Sequence, residues 1–144
     1  MRLELTRRAD YALRAMLALA ADEERLSATT IATRMSIPPR FLPHVMRDLV
    51  AAGLVSATPG RRGGYRPARD VGSVTVLDVI EAIEGDARRQ TCVLRNAPCG
   101  RDGFCAIHHV FAAAQDALLA ELDHATLAEV VARPALRRAV GLAN

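Results

Sequence analysis

The strongest constraint on this chain's fold lies in its first half. Two short amphipathic segments are separated by Ser36-Ile37-Pro38-Pro39, and a glycine-rich run, Pro59-Gly60-Arg61-Arg62-Gly63-Gly64, follows the second. Ser27 reads as the N-cap of a helix over residues 27–35, with Ile31, Ala32 and Met35 inward. A second helix runs to about residue 52, buries Leu42, Val45, Met46 and Leu49, and stops at Gly53. Pro38 and Pro39 suit a first helical turn, but Pro43 falls where an intrahelical bond would begin, which favours a start one turn later than Pro38 suggests. Residues 54–56 and 65–66 read as strands on either side of the glycine-rich turn. Paired short helices followed directly by a hairpin read as a winged helix-turn-helix.

The flanking segments are helical as well. Residues 6–21 place Leu13, Met16, Leu17 and Ala20 at helical spacing before Asp22, Glu23 and Glu24 end the run. Thr75 with Asp78 forms a capping box for a helix over 76–84 closed by Gly85, and Thr126 with Glu129 forms another for 127–132. Between them, residues 106–121 carry Ile107, Val110, Phe111, Ala114 and Leu118 on one apolar stripe that needs a partner. A second copy of the chain can cover it in a twofold dimer; packing inside one subunit is the competing arrangement. The expected class is mainly α: a winged helix-turn-helix with a small β-hairpin wing and a long C-terminal dimerisation helix. The expected organisation is a DNA-binding unit over 1–85, a cysteine-bearing loop over 86–105, and the dimerisation helix and tail over 106–144.

Charge points to a polyanion. All 19 basic residues are arginines, and residues 30–69 hold seven of them against one acid, Asp48. The first 75 residues carry 12 Arg and 7 acids; the remainder carry 7 Arg and 9 acids. Solubility alone is the bland reading of that asymmetry; double-stranded DNA is the specific one. On the second helix of the motif, Arg40, His44 and Arg47 lie off the buried stripe, and Arg40 or Arg47 is the candidate for reading guanine. His44 serves equally as a plain surface histidine. Arg61 and Arg62 at the hairpin tip are candidates for phosphate or minor-groove contact, and Arg34 and Tyr65 complete the candidate interface.

The three cysteines all fall within residues 92–105, an odd number in a tight cluster, which suits metal or redox chemistry better than a disulfide framework. Six residues separate Cys92 from Cys99, five separate Cys99 from Cys105, and two separate Cys105 from His108. Pro98, Gly100 and Gly103 let the backbone curl, so the thiolates can converge. His108 is one candidate for a fourth ligand; Asp10, brought near by a dimer, is another. Either can instead be ordinary: a helix-surface histidine, and an acid favoured at a helix N-terminus. Zinc on three thiolates and a histidine is the chemical rival, although the spacing lacks the CxxC pairs of most zinc modules.

Taken together, the start MRL with DYALRAMLALA, the segments RFL and LVAAGLV, the wing GRRGGY and the three spaced cysteines resemble the IscR/NsrR family of bacterial winged-helix regulators over nearly the whole chain. That resemblance implies a homodimer built on the long C-terminal helix. It also implies an iron–sulfur cluster on Cys92, Cys99 and Cys105 that senses cluster supply, redox state or nitric oxide. IscR-like members take a fourth ligand three residues after the last cysteine, the place of His108. NsrR-like members take an aspartate from the first helix of the other subunit, the place of Asp10. This chain has both, and its first cysteine gap is six residues rather than five, so 2Fe–2S and 4Fe–4S both stay open.

The function read from the chain is a DNA-binding transcriptional regulator, taken as a repressor, with a zinc-binding or metal-free thiol regulator of the same fold as the alternative. An enzyme is not expected: there is no nucleophile–base pair and no phosphate loop. The charged start, MRLELTRRAD, and the lack of any apolar run near the ~20 residues of a membrane span give the expectation of a cytoplasmic protein without membrane attachment.

Overall fold

Four helices begin on a side-chain cap, and three of those caps, Ser27, Thr75 and Thr126, are the ones read from the sequence. The computed structural model describes residues 4–87 and 106–133. Helix α1 (Arg7–Ala20) is capped by Thr6 and α2 (Ala28–Arg34) by Ser27; each cap oxygen accepts from the backbone N–H three residues on. Helix α3 (Leu42–Ala51) has no side-chain cap and starts a turn after Pro39, so that Pro43 sits in its first turn, where no intrahelical N–H is required. Strands β1 (Val55–Thr58) and β2 (Gly64–Pro67) form an antiparallel hairpin with Val55 opposite Pro67 and Thr58 opposite Gly64. Helices α4 (Val76–Glu84) and α6 (Leu127–Ala132) both open on the capping boxes expected of Thr75/Asp78 and Thr126/Glu129. Helix α5 (His108–His124) lies between them.

The core forms where α1 meets α2, α3, α4, α6 and the hairpin. Its face corrects the expected stripe. Ala9, Ala12, Ala15, Met16, Ala18 and Leu19 are buried, whereas Leu13, Leu17 and Ala20 are only half-buried. A helix contacted on several sides needs small residues where neighbours approach closely, and alanine supplies them. Leu42, Val45, Met46 and Leu49 of α3 are buried as expected and join Ile31, Leu54, Val74, Val79 and Leu127 in one cluster. At about 25 cal/mol per Å2, burying a leucine of this kind contributes roughly 2 kcal/mol.

Helix α6 belongs to this core. Thr75 and Thr126 form a backbone bridge; the Val76 N–H donates to the Ala125 carbonyl and the Leu127 N–H to the Val74 carbonyl, each at 2.9 Å. Leu127 is fully buried beneath that junction. Helix α5, by contrast, buries no residue. Val110 is 69% exposed, Ile107 40% and Leu118 39%, so most of the expected apolar stripe faces outward in the single chain, while Phe111 is half-buried. Among the described residues, no helix is long and apolar enough to cross a membrane. Cys92, Cys99, Cys105 and the tail from Pro134 lie outside the described residues.

Candidate nucleic-acid interface

Helix α3 presents two faces because its apolar residues recur every three to four positions. With Leu42, Val45, Met46 and Leu49 turned inward, Pro43, His44, Arg47 and Val50 are left exposed. His44 and Arg47, three apart, share one face. They line a hollow of about 330 Å3 together with Arg8, Phe41 and Val45. At the head of the helix the Phe41 ring packs against Tyr11 with centroids 5.8 Å apart, and the Arg40 guanidinium lies 4.8 Å above the same ring. That cation–π contact directs Arg40 without using its hydrogen-bond donors.

Asp48 is half-buried beside this face. Its Oδ2 accepts from Arg8 Nη2 of α1, and its Oδ1 lies 3.9 Å from Arg47 Nε. The one acid of the basic segment is thus covered by arginines from two helices. Arg8 was not singled out from the sequence. The available signal was its place in the first turn of α1, where a positive charge opposes the helix dipole and so asks for another reason to be there.

The wing is held by its glycines and by the strand partner it borrows. Gly60 has φ +98° and Gly64 φ +133°, conformations that side-chain-bearing residues rarely adopt. Across the base of the wing, Leu26 N–H donates to the Tyr65 carbonyl at 2.9 Å and Tyr65 N–H returns a bond at 2.8 Å. Arg61 and Arg62 are exposed at the tip, and a second hollow, about 430 Å3, separates the wing from Ser27 and Ala28 at the start of α2.

The remaining candidates are placed differently. Arg34 is half-buried and pairs with Asp22 at 3.0 Å, fastening α2 to the end of α1's loop. The Arg34 hydrogen bond, assisted by the Glu24 backbone N–H, holds the Asp22 carboxyl below the usual carboxylate range against the opposing effect of partial burial. Tyr65 is half-buried and packs against the core. Arg40, His44, Arg47, Arg61 and Arg62 therefore remain as the exposed set, with Arg8 added.

Of the candidate ligands, Asp10 and His108 fall among the described residues. Asp10 lies in the first turn of α1, where both its oxygens meet Arg14: Oδ1 accepts from Nε at 3.0 Å and Oδ2 lies 2.8 Å from Nη2. The Asp10 side chain is 40% exposed. His108 opens α5, half-buried, with the ring of His109 edge-on at 5.6 Å. Three thiolates with a carboxylate or imidazole form a donor set that suits an iron–sulfur cluster. Among the described residues alone, no group of three such donors comes together.

Sequence and fold comparisons decide the family. The Rrf2 family model, described as an iron-dependent transcriptional regulator, matches residues 5–133. The chain belongs to the Rrf2 family of transcriptional regulators. An rrf2-like helix-turn-helix-type regulator of Rhodobacter capsulatus is 33% identical over 138 residues, covering 89% of this chain and 92% of its own. Two solved structures share the fold: CymR, the global cysteine regulator of B. subtilis, and IscR of T. potens. CymR has TM-score 0.79 and 26% identity and covers 90% of this chain and 97% of its own; IscR has 0.74 and 27%, covering 90% and 86%. The winged-helix fold, DNA binding and a regulatory rather than enzymatic role are those of this Rrf2-family chain.

Proposed function

We propose that the chain is a homodimeric, cytoplasmic repressor that grips double-stranded operator DNA through α3 and the wing and adjusts that grip through Cys92, Cys99 and Cys105. The observation that carries the DNA part is the open arginine face, in which Arg40, Arg47, Arg61 and Arg62 are exposed while the nearby acid Asp48 is covered by Arg8. Phosphate contacts from the wing supply affinity and α3 supplies sequence readout. The outward apolar face of α5, with Ile107, Val110 and Leu118, supports dimerisation and hence recognition of two half-sites.

For the sensor, the three cysteines would hold an iron–sulfur cluster, with Asp10 of the other subunit or His108 as the fourth ligand. When bound, such a cluster supplies one-electron redox chemistry and reactivity towards nitric oxide. Asp10 has to exchange Arg14 for that role, so ligand use and the α1 ion pair are coupled. The iron-dependent description of the matching family model supports this reading. A metal-free thiol regulator is the second reading, favoured by the fold similarity to a protein described as a cysteine regulator; a zinc site is the third.

Purification without oxygen separates these. The cluster reading expects visible absorption with iron and sulfide in comparable amounts. A colourless, metal-free or zinc-loaded protein that still binds DNA would replace it. Substituting Asp10 and His108 one at a time, and following the absorption spectrum, identifies the fourth ligand.

A further inference from the structure

We infer that Asp48, with Arg8, sets the sequence specificity of α3 by holding Arg47 in place, an inference that rests on the reading of α3 as the DNA-facing helix. An acid next to a DNA-facing arginine opposes phosphate binding, so a structure built only for affinity would omit it. Here it is the single acid among residues 30–69 and is not turned outward; its side chain is 23% exposed. Arginines from two helices converge on it: Arg8 Nη2 on Oδ2, and Arg47 Nε 3.9 Å from Oδ1. Arg47 meets the carboxylate through its Nε edge, and 72% of its side chain is exposed. Its two terminal nitrogens thus stay available for the two acceptors of a guanine.

The carboxylate attracts one edge of the guanidinium at 3.9 Å, beyond hydrogen-bond length, and so biases the Arg47 rotamers rather than locking them; that bias reduces the freedom that base contact would otherwise remove and disfavours contacts made in other orientations. Arg8 cancels the charge that this device would otherwise present to phosphates and ties α3 to the first turn of α1. Asp48 and Arg8 are positioning residues; Arg47 is the one that touches DNA.

The test uses the full chain, a duplex enriched from a random-sequence pool by binding, and a scrambled duplex of equal length. Asp48→Asn keeps an acceptor for Arg8 but removes the charge. It should tighten binding to the scrambled duplex while lowering the selected-to-scrambled affinity ratio about threefold, the scale of an exposed ion pair. Asp48→Glu should restore most of that ratio. In a double-mutant cycle on the selected duplex, Arg8→Ala should weaken binding, and adding Asp48→Asn should recover part of the loss. A ratio unchanged in Asp48→Asn, with Arg47→Ala still abolishing selectivity, overturns the inference and leaves α3 as the reading helix. Arg47→Ala without effect on either duplex also overturns the inference, and an equally silent Arg40→Ala/His44→Ala/Arg47→Ala variant overturns the reading of α3 itself.

Discussion

Leu26 and Tyr65 exchange two backbone hydrogen bonds, at 2.9 and 2.8 Å, and so join the loop ahead of α2 to the second strand of the wing. The hairpin is therefore anchored at its root to the helix-turn-helix, rather than hanging from α3 by one strand. Rigid placement of Arg61 and Arg62 depends on this link, because a two-stranded hairpin alone is marginal in water.

Gly64 is the weak point of that anchor. At φ +133°, a Cβ there would lie 2.7 Å from the Leu26 carbonyl oxygen and 3.1 Å from its carbon, backbone atoms that cannot swing aside as a side chain can. Gly64→Ala should cost about 2 kcal/mol from backbone strain and the broken pairing. Thermal unfolding measures the loss, and amide hydrogen exchange at Leu26 and Tyr65 locates it. Unchanged protection at both amides would mean that the wing root does not need the glycine.

The second anchor lies at the other end of the core. Leu127 is fully buried beneath the Thr75–Thr126 bridge, so Leu127→Ala should destabilise the whole fold by about 2–5 kcal/mol. A denaturant titration should shift its midpoint in a single transition. A separate early transition would show α6 to be an independent unit.

Much of this fold is legible in the chain because local signals agree with the tertiary arrangement. Ser27, Thr75 and Thr126 cap the helices they precede, and the inward set of α3 follows from periodicity alone. In α1 periodicity gave only part of the buried face: of Leu13, Met16, Leu17 and Ala20, Met16 is fully buried and the other three pack half-buried against the core, while the most crowded positions go to alanines and Leu19. Among candidate site residues, Arg34 and Arg61 look alike in sequence. Only tertiary structure shows one paired with Asp22 and the other exposed. The cover that Arg8 gives Asp48 joins residues 40 positions apart, a distance that no local pattern spans.

Asp22 gives a pH dependence with a definite sign. Its folded-state pKa is lowered, chiefly by Arg34, so it contributes stability above the ordinary carboxylate range that is lost as pH falls through the folded value. Arg34→Ala should raise the Asp22 pKa towards its ordinary value, read by carboxyl NMR titration, and weaken the protein more at neutral pH than in acid. An Asp22 titration unaltered by Arg34→Ala would assign the shift to the Glu24 backbone N–H instead.

The proposed role of Arg61 and Arg62 at the wing tip is phosphate contact. The Arg61→Ala/Arg62→Ala variant should therefore weaken selected and scrambled duplexes alike. The slope of log affinity against log salt should become shallower by about 2, close to one unit per lost phosphate contact. An unchanged slope removes the wing tip from the interface.

Helix α5 offers the sharpest test of assembly. Val110, at 69% exposure, is the most open large apolar residue among the described ones, and Ile107 and Leu118 flank it at helical spacing. In a twofold interface each substitution enters twice, so one change acts on both halves. Val110→Asp introduces a carboxylate that an apolar interface must desolvate, which should weaken the dimer by about a hundredfold. The exposed position predicts little change in the subunit's own fold. Sedimentation across micromolar concentrations should show monomer for the variant and dimer for the parent, with circular dichroism unchanged. Operator binding should weaken in step, since two linked half-sites become two independent ones. A parent protein that sediments as a monomer would exclude the α5 dimer, and the exposed stripe would then need another partner.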